Sequence, residues 1–342
     1  MTEFTLSDLR LAAPGLGRLR HGLAGRSRLR FVRRLVAVGV EVAAATLIDR
    51  LRPLSSNLHA VADGAAPSGS GSLALYVHWS PTGAVSDMVV AQIAAWRDAG
   101  FNVVFVTNTA PPLRDWNRLS ELSVLRIARD NIGRDFGGWR DALSLALERF
   151  GTPNELLLAN DSVLGPVRPM TQVVAALRRG GEGMFGLTES RGGGAHLQSY
   201  LLLARGQRAV ADVSVHLAAC RPSRSKWRLV QQAEIGLTRR MLMRGHRVAA
   251  VFGWERIAPS LDASVLDAFG SRFAEPDALN RYPLNPTHHL WRVLVERFGF
   301  PYLKTELVLR NPGGLPGVER WPELVDAATR AVIEQHLRIM RR

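Results

Sequence analysis

The chain has 342 residues, 46% hydrophobic and 22% charged, enough for one large or two small domains with a sizeable core and an ordinary charge content for a folded protein. Its single cysteine, Cys220, excludes an internal disulfide framework and a cysteine-based zinc site, and fits a reducing cytoplasm. The formal charge of +14 rests almost wholly on arginine, Lys226 and Lys304 being the only lysines; it suits anionic lipid or phosphorylated ligands, whereas the lack of a zinc-finger, basic-zipper or RNP signature argues against nucleic acid.

Residues 1–52 carry ten arginines against four acids, a net +6. Leu29, Val32, Val36, Val40, Ala43, Leu47 and Leu51 recur at helical spacing. The apolar run Leu35–Ile48 has 14 residues and contains Glu41, so as a helix it reaches about 21 Å, short of the roughly 30 Å hydrocarbon core. Neither a transmembrane helix nor a compact signal peptide is expected. The helix either packs on the main domain or lies on a membrane surface.

Residues 53–72, with Pro53, Pro67 and Ser68-Gly69-Ser70-Gly71-Ser72, have linker composition. An α/β domain follows over 73–315, and 316–342 form a C-terminal helical segment. Strands are predicted at Leu73–Trp79, Phe101–Thr107, Leu125–Ala128, Glu155–Ala159, Met184–Thr188 and Leu197–Ala204. Helices are predicted at Val85–Ala99, Gly137–Phe150 (with Asp135 a candidate cap) and Met170–Arg179. This β-α-β rhythm predicts a mostly parallel sheet covered by helices on both faces, with ligands bound outside the carboxyl ends of the strands.

Four groups of residues stand at such ends. His78-Trp79-Ser80 and Thr107-Asn108-Thr109 close two strands; turn residues look the same. Asn131-Ile132-Gly133-Arg134-Asp135-Phe136-Gly137-Gly138-Trp139 joins a strand to a helix. Its glycines permit close backbone approach to a ligand, its helix start offers N–H groups to phosphate, Arg134 suits a phosphate and Asp135 a sugar hydroxyl. The competing reading is a capped helix with a surface ion pair. In Leu156–Ser162, an apolar strand delivers Asn160 and Asp161 to its end, where the carboxylate suits Mg²⁺ or Mn²⁺ or closes an Asx turn. Asn285-Pro286-Thr287-His288-His289-Leu290-Trp291 opens a helix ending near Gly299. With Thr287 as cap, His288 and His289 fall in its first turn, as neutral rings suited to metal or as packed side chains.

These strings resemble the rhamnan synthesis protein F family of bacterial polysaccharide enzymes: NIGRDFGGW at Asn131–Trp139, LLANDSVLGP at Leu157–Pro166, the HLQSYL core of Gly186–Leu201, EIGL at Glu234–Leu237, NPTHHLW at Asn285–Trp291 and FPYLKTELVLRNP at Phe300–Pro312. They are collinear and span about Leu73 to Pro312. The resemblance implies a GT-A-like glycosyltransferase moving a sugar, rhamnose among the candidates, from a nucleotide-diphosphate donor to a cell-envelope polysaccharide or lipopolysaccharide O-chain acceptor, lipid-linked in one version. It places Asn160-Asp161-Ser162 at the Asp-x-Asp metal motif, with one carboxylate instead of two, so that a divalent metal would need His288, His289 or the diphosphate beside Asp161. With that donor, the strand-end and turn residues His78, Thr107, Asn131, Gly133, Arg134, Asp135 and Asn160 are the candidate donor contacts. Glu234 is the first choice for the acceptor base and Glu189 the reserve. Gln198 and Tyr200 would line the acceptor side or serve structure, and Lys304 and Glu306 would pair near the site or at the surface. A cytoplasmic enzyme, peripheral at the inner face of the cell membrane, is the expected setting. A non-catalytic sugar-nucleotide- or polysaccharide-binding accessory protein on the same fold is the alternative.

Overall fold

A computed structural model describes residues 4–10, 28–69, 71–192, 194–262 and 285–341; of the arginine-rich N-terminal stretch, residues 11–27 lie outside them. The central sheet is built from β1 (Ser7–Asp8), β2 (Leu58–Asp63), β3 (Ser72–His78), β4 (Asn102–Thr107), β5 (Leu125–Arg129), β6 (Glu155–Asn160), β8 (Gly183–Ser190), β9 (His196–Leu197), β10 (Leu201–Arg205) and β11 (Val248–Phe252), while β7 (Val163–Leu164) and β12 (Leu303–Lys304) form a separate two-stranded ladder. The order is β1-β11-β8-β10-β6-β3-β4-β5-β2, with β9 on β8. Strands β6, β3, β4 and β5 are mutually parallel, as are β8 and β11; β10 runs against both its neighbours, and β1 and β2 close the edges antiparallel. The expected α/β architecture with a mostly parallel sheet is therefore present. Edge strand β2 forms inside the stretch read as linker, and Ser7–Asp8 joins the sheet from the N-terminal segment.

The apolar strands are continuous runs because both faces are covered. Along β3, Leu73, Leu75 and Val77 belong to one core, with the helices Arg134–Phe150, Gln207–Ala219 and Gly236–Met243; Ala74 and Tyr76 belong to the other, with Asp87–Asp98, Thr171–Arg179, Trp291–Phe298 and Ala327–Met340. This is the two-residue period of a strand seen from both sides. The C-terminal helix contributes Ile333 and Leu337 to that second core and packs on Asp87–Asp98, where His336 Nδ1 meets Ser86 Oγ at 2.8 Å.

The connections decide where a ligand can sit. From β3 the chain moves outward to β4 and β5, then returns to place β6 on the opposite flank of β3. The carboxyl ends of β3 and β6 therefore flank the point where strand order reverses, the crevice of an open α/β sheet.

Three local expectations change. The reading Leu197–Ala204 splits into β9 and β10. The helix after Asn285 is two short helices, Pro286–His289 and Trp291–Phe298, meeting at Leu290 and ended by Gly299 at φ 69°. Its cap is Asn285, whose side chain accepts from Thr287 N, rather than Thr287.

Candidate active site at the switch point

The end of β6 delivers Asn160 and Asp161, and hydrogen bonds orient both. Asp161 Oδ2 accepts from His78 Nδ1 at 2.7 Å and from Trp79 N at 2.8 Å. His78 is fully buried, its Nε2 lying 3.2 Å from Ala84 O and its ring against Phe105. Asn160 Nδ2 donates to Asp135 Oδ2 at 2.8 Å, while its Oδ1 accepts from Ser162 N at 3.0 Å and Ser162 Oγ at 2.6 Å. The β7–β12 ladder pairs Val163 with Lys304, which puts Lys304 Nζ 3.0 Å from Ser162 Oγ and 4.6 Å from the centre of the Tyr200 ring. A continuous path thus runs Lys304–Ser162–Asn160–Asp135.

Glu234 joins this cluster from the other side. It lies in a π-helical stretch, Val230–Ile235, between the helices Lys226–Leu229 and Gly236–Met243; such wide turns recur at functional sites. Ser199 N donates to its Oε1 at 2.8 Å. Electrostatics show the convergence. Withdrawal from water, with the charges of Asp161 and Glu234 nearby, raises Asp135 to about 7 against the pull of Lys304 and Arg134. Burial lowers Lys304 to about 8, opposed by Glu234, Asp135, Glu306 and Asp161, so it keeps its positive charge at neutral pH. Burial, then the charge of Lys304, lowers His288 to about 4, leaving a neutral ring at the margin.

The turn Asn131–Trp139 is shaped by its own packing. Gly133 (φ 77°) and Arg134 (φ 54°) are both left-handed, a conformation costing a non-glycine residue roughly 1–3 kcal/mol. A Cβ on Gly137 would lie 2.0 Å from Ile132 O, and one on Gly138 2.9 Å from Val77 Cγ2. These two glycines therefore let the helix start press on its own turn and on β3, rather than admit a ligand. Arg134 is exposed at the crevice rim, and no hydrogen bond holds its guanidinium among the described residues. Beneath the turn lies Arg129, one residue past the predicted strand end at Ala128. It is fully buried and reaches Asp141 at 2.9 Å, Asn108 Oδ1 at 2.5 Å and Ile132 O at 2.6 Å. An arginine at the carboxyl end of this strand, two residues before the Asn131 turn, was the available signal.

The structure thus gathers His78, Asp135, Asn160, Asp161 and Glu234 around Lys304, with Arg134 at the rim. Other candidates stand apart, except that Tyr200 lies under Lys304 and Glu306 acts on its charge. Asn131 is exposed. Thr107 Oγ1 turns to Thr109 O. Glu189, raised by burial, accepts from Trp254 N at 3.0 Å and faces Arg191. His289 Nδ1 accepts from Asn285 N at 2.9 Å, folding onto the helix start. Gln198 and Tyr200 share Thr188 Oγ1 in a buried network that also reaches Asn285 and Thr287. Glu306 is exposed. Among the described residues no three His, Cys, Asp or Glu side chains converge as a metal-binding group, and the cation among the carboxylates is Lys304.

The elevated Asp135 has a thermodynamic consequence. Its folded-state pKa lies above its ordinary 3.8, so the folded chain holds the proton where the unfolded chain has lost it, and stability declines as pH rises from about 4 to about 7. Asp135→Asn, which keeps an acceptor for Asn160, should be more stable than the parent at pH 7.5 by on the order of 1–3 kcal/mol and nearly equal to it at pH 4. Denaturant titrations across that range measure the gap; a gap independent of pH would show that Asp135 ionises normally.

Residues 103–264 match the model of the family described as rhamnan synthesis protein F, which bears out the resemblance over the segment holding the first four motifs. The uncharacterized protein y4gN of Sinorhizobium fredii (strain NBRC 101917 / NGR234) is 30% identical over 195 residues, 55% of this chain and 50% of that protein. Virulence protein VirA of Vibrio anguillarum (strain ATCC 68554 / 775) is 26% identical over 200 residues, 56% of this chain and 64% of that protein. The chain thus spans between half and just under two thirds of these curated relatives. No solved structure matches.

Proposed function

We propose that the chain is a GT-A-like glycosyltransferase of polysaccharide synthesis, moving a sugar of the rhamnose class from a nucleotide-diphosphate donor to a cell-envelope glycan. The observation that carries this reading is the convergence of Asp135, Asp161, Glu234 and Lys304 at the carboxyl ends of β3 and β6, where strand order reverses. The rhamnan-synthesis family match supplies the polysaccharide context.

The chemistry follows from the charges. As the anomeric carbon loses the diphosphate, positive charge grows on the sugar and negative charge on the leaving oxygen. Lys304, held by Ser162 and over Tyr200, and Arg134 at the rim are the cations for the leaving group. Asp161, fixed by His78 and Trp79, faces the sugar side. Glu234, anchored through one oxygen by Ser199, removes the acceptor hydroxyl proton with the other. A divalent metal would sit on the donor diphosphate beside Asp161, and the Mn²⁺ arm of the test below addresses it.

The test is calorimetric binding of dTDP-, UDP- and GDP-sugars, each with and without Mn²⁺, followed by transfer to polysaccharide and lipid-linked acceptors. Binding of one nucleotide class with transfer is expected. Binding without transfer or hydrolysis would favour the accessory protein, and no nucleotide binding would remove the transferase and leave only a polysaccharide-binding accessory protein. Arg134→Ala should weaken the preferred donor by about 1.5–3 kcal/mol, the worth of a hydrogen bond to a charged group, with unchanged thermal stability. Equal affinity in the same calorimeter would return Arg134 to the solvent.

A further inference from the structure

The helix Arg28–Leu51 keeps a stripe of large apolar residues away from the body of the protein. Toward the body it turns Val38, Val42, Ala45, Thr46 and Asp49. Ala45 is buried; Asp49 Oδ1 takes Arg224 Nη1 at 2.6 Å and its Oδ2 takes Ser223 Oγ at 2.8 Å; Thr46 meets Arg228 at 3.1 Å. Burial alone would raise the Asp49 carboxyl, but the bonds from Ser223 and Arg224 hold it below its ordinary range. Away from the body, Val36, Val40, Leu47 and Leu51 are 57%, 64%, 59% and 73% exposed. Spaced by four, seven and four residues, they form one stripe along the helix. Trp227, 45% exposed, lies on the adjoining short helix Lys226–Leu229, which packs on this one. A continuous apolar stripe of this kind on a soluble surface marks something that covers it.

Charge selects the cover. Arg28, Arg30, Arg33 and Arg34 occupy the first turns of the helix, and Arg50 and Arg52 stand at its other end. Its acids are Glu41 and Asp49, the latter already matched by Arg224. Pairing two copies along the stripe, parallel or antiparallel, would bring basic ends together in a chain of charge +14. An anionic lipid surface meets the same ends with opposite charge. At 24 residues the helix is about 36 Å long, yet no described helix is long and apolar enough to cross a membrane. We propose that Arg28–Leu51 is a membrane-surface docking helix, lying in the headgroup layer of an anionic bilayer with the Val36–Leu51 stripe and Trp227 toward the acyl chains. This inference is independent of the transfer reaction.

The experiment is co-sedimentation of the full chain with phosphatidylcholine vesicles and with vesicles also containing phosphatidylglycerol, at low and high salt. Light scattering of the lipid-free protein runs alongside. Val40→Asp and Leu47→Asp change outward-facing side chains, so circular dichroism should show both variants folded. The parent should pellet with the anionic vesicles, less at high salt and little with phosphatidylcholine alone. Each substitution should weaken binding on the order of tenfold, the worth of one buried aliphatic side chain. Three outcomes would overturn the proposal: a folded parent that ignores anionic vesicles, binding unchanged in both variants, or a lipid-indifferent dimer that the substitutions dissociate.

Discussion

Asp161→Asn should lower sugar transfer by about a hundredfold or more while leaving a folded protein. In the proposed reaction the carboxylate would face a centre that gains positive charge, and removal of such electrostatic stabilisation costs about 10²–10³ in rate. Asparagine keeps an oxygen that can accept from His78 or Trp79, so the fold is less disturbed than the chemistry. Asp161→Ala strands both donors, and because His78 is fully buried, each lost acceptor should cost roughly 1–3 kcal/mol. The pair of variants therefore separates the residue's two duties. Stability should rank parent, then Asn, then Ala, whereas transfer should be nearly absent from both. Thermal denaturation and a turnover assay on the same preparations measure this, and near-parental turnover in a folded Asp161→Asn protein would remove the carboxylate from the reaction.

Glu234→Gln is expected to keep donor binding and lose transfer by about 10²–10⁴-fold, the range of general-base catalysis. Glutamine retains the oxygen that accepts from Ser199 N and cannot take a proton from the acceptor. The split between binding and rate distinguishes a base from a structural acid: loss of a packing role would lower stability and donor affinity together. Calorimetry with the preferred sugar nucleotide, beside single-turnover transfer, gives both numbers. A loss under about threefold would move the base to Asp135, whose elevation to about 7 suits proton transfer at neutral pH. Glu189 is poorly placed for that duty, since its charged neighbours are Arg191 and Glu255 rather than the Lys304 cluster.

The order of residues announces local structure. Apolar runs such as Leu73–Val77 and Leu156–Ala159 announced buried parallel strands, because a strand covered on both faces has no polar side to alternate with. Their carboxyl ends followed directly, and with them Asn160 and Asp161. The outward apolar stripe of Val36, Val40, Leu47 and Leu51 was likewise visible as periodicity. The sequence did not contain which face of that helix would dock, since Asp49 and Thr46 find Arg224 and Arg228 across more than 170 residues. Nor did it show why the glycines of the Asn131–Trp139 turn are needed: Gly137 and Gly138 answer to Ile132 O and Val77, contacts that exist only once the helix lies on β3. Lys304 is the sharpest case. It reaches Ser162 across 142 residues through a ladder of two-residue strands too short to leave a periodic signal. Its charge alters Asp135, and is altered by it, only because the fold brings both out of water at one point. Spacing along a chain reports the turns of a helix and the pleat of a strand; the field at a site sums charges from segments that are neighbours only in space, and that sum was decided by the tertiary structure.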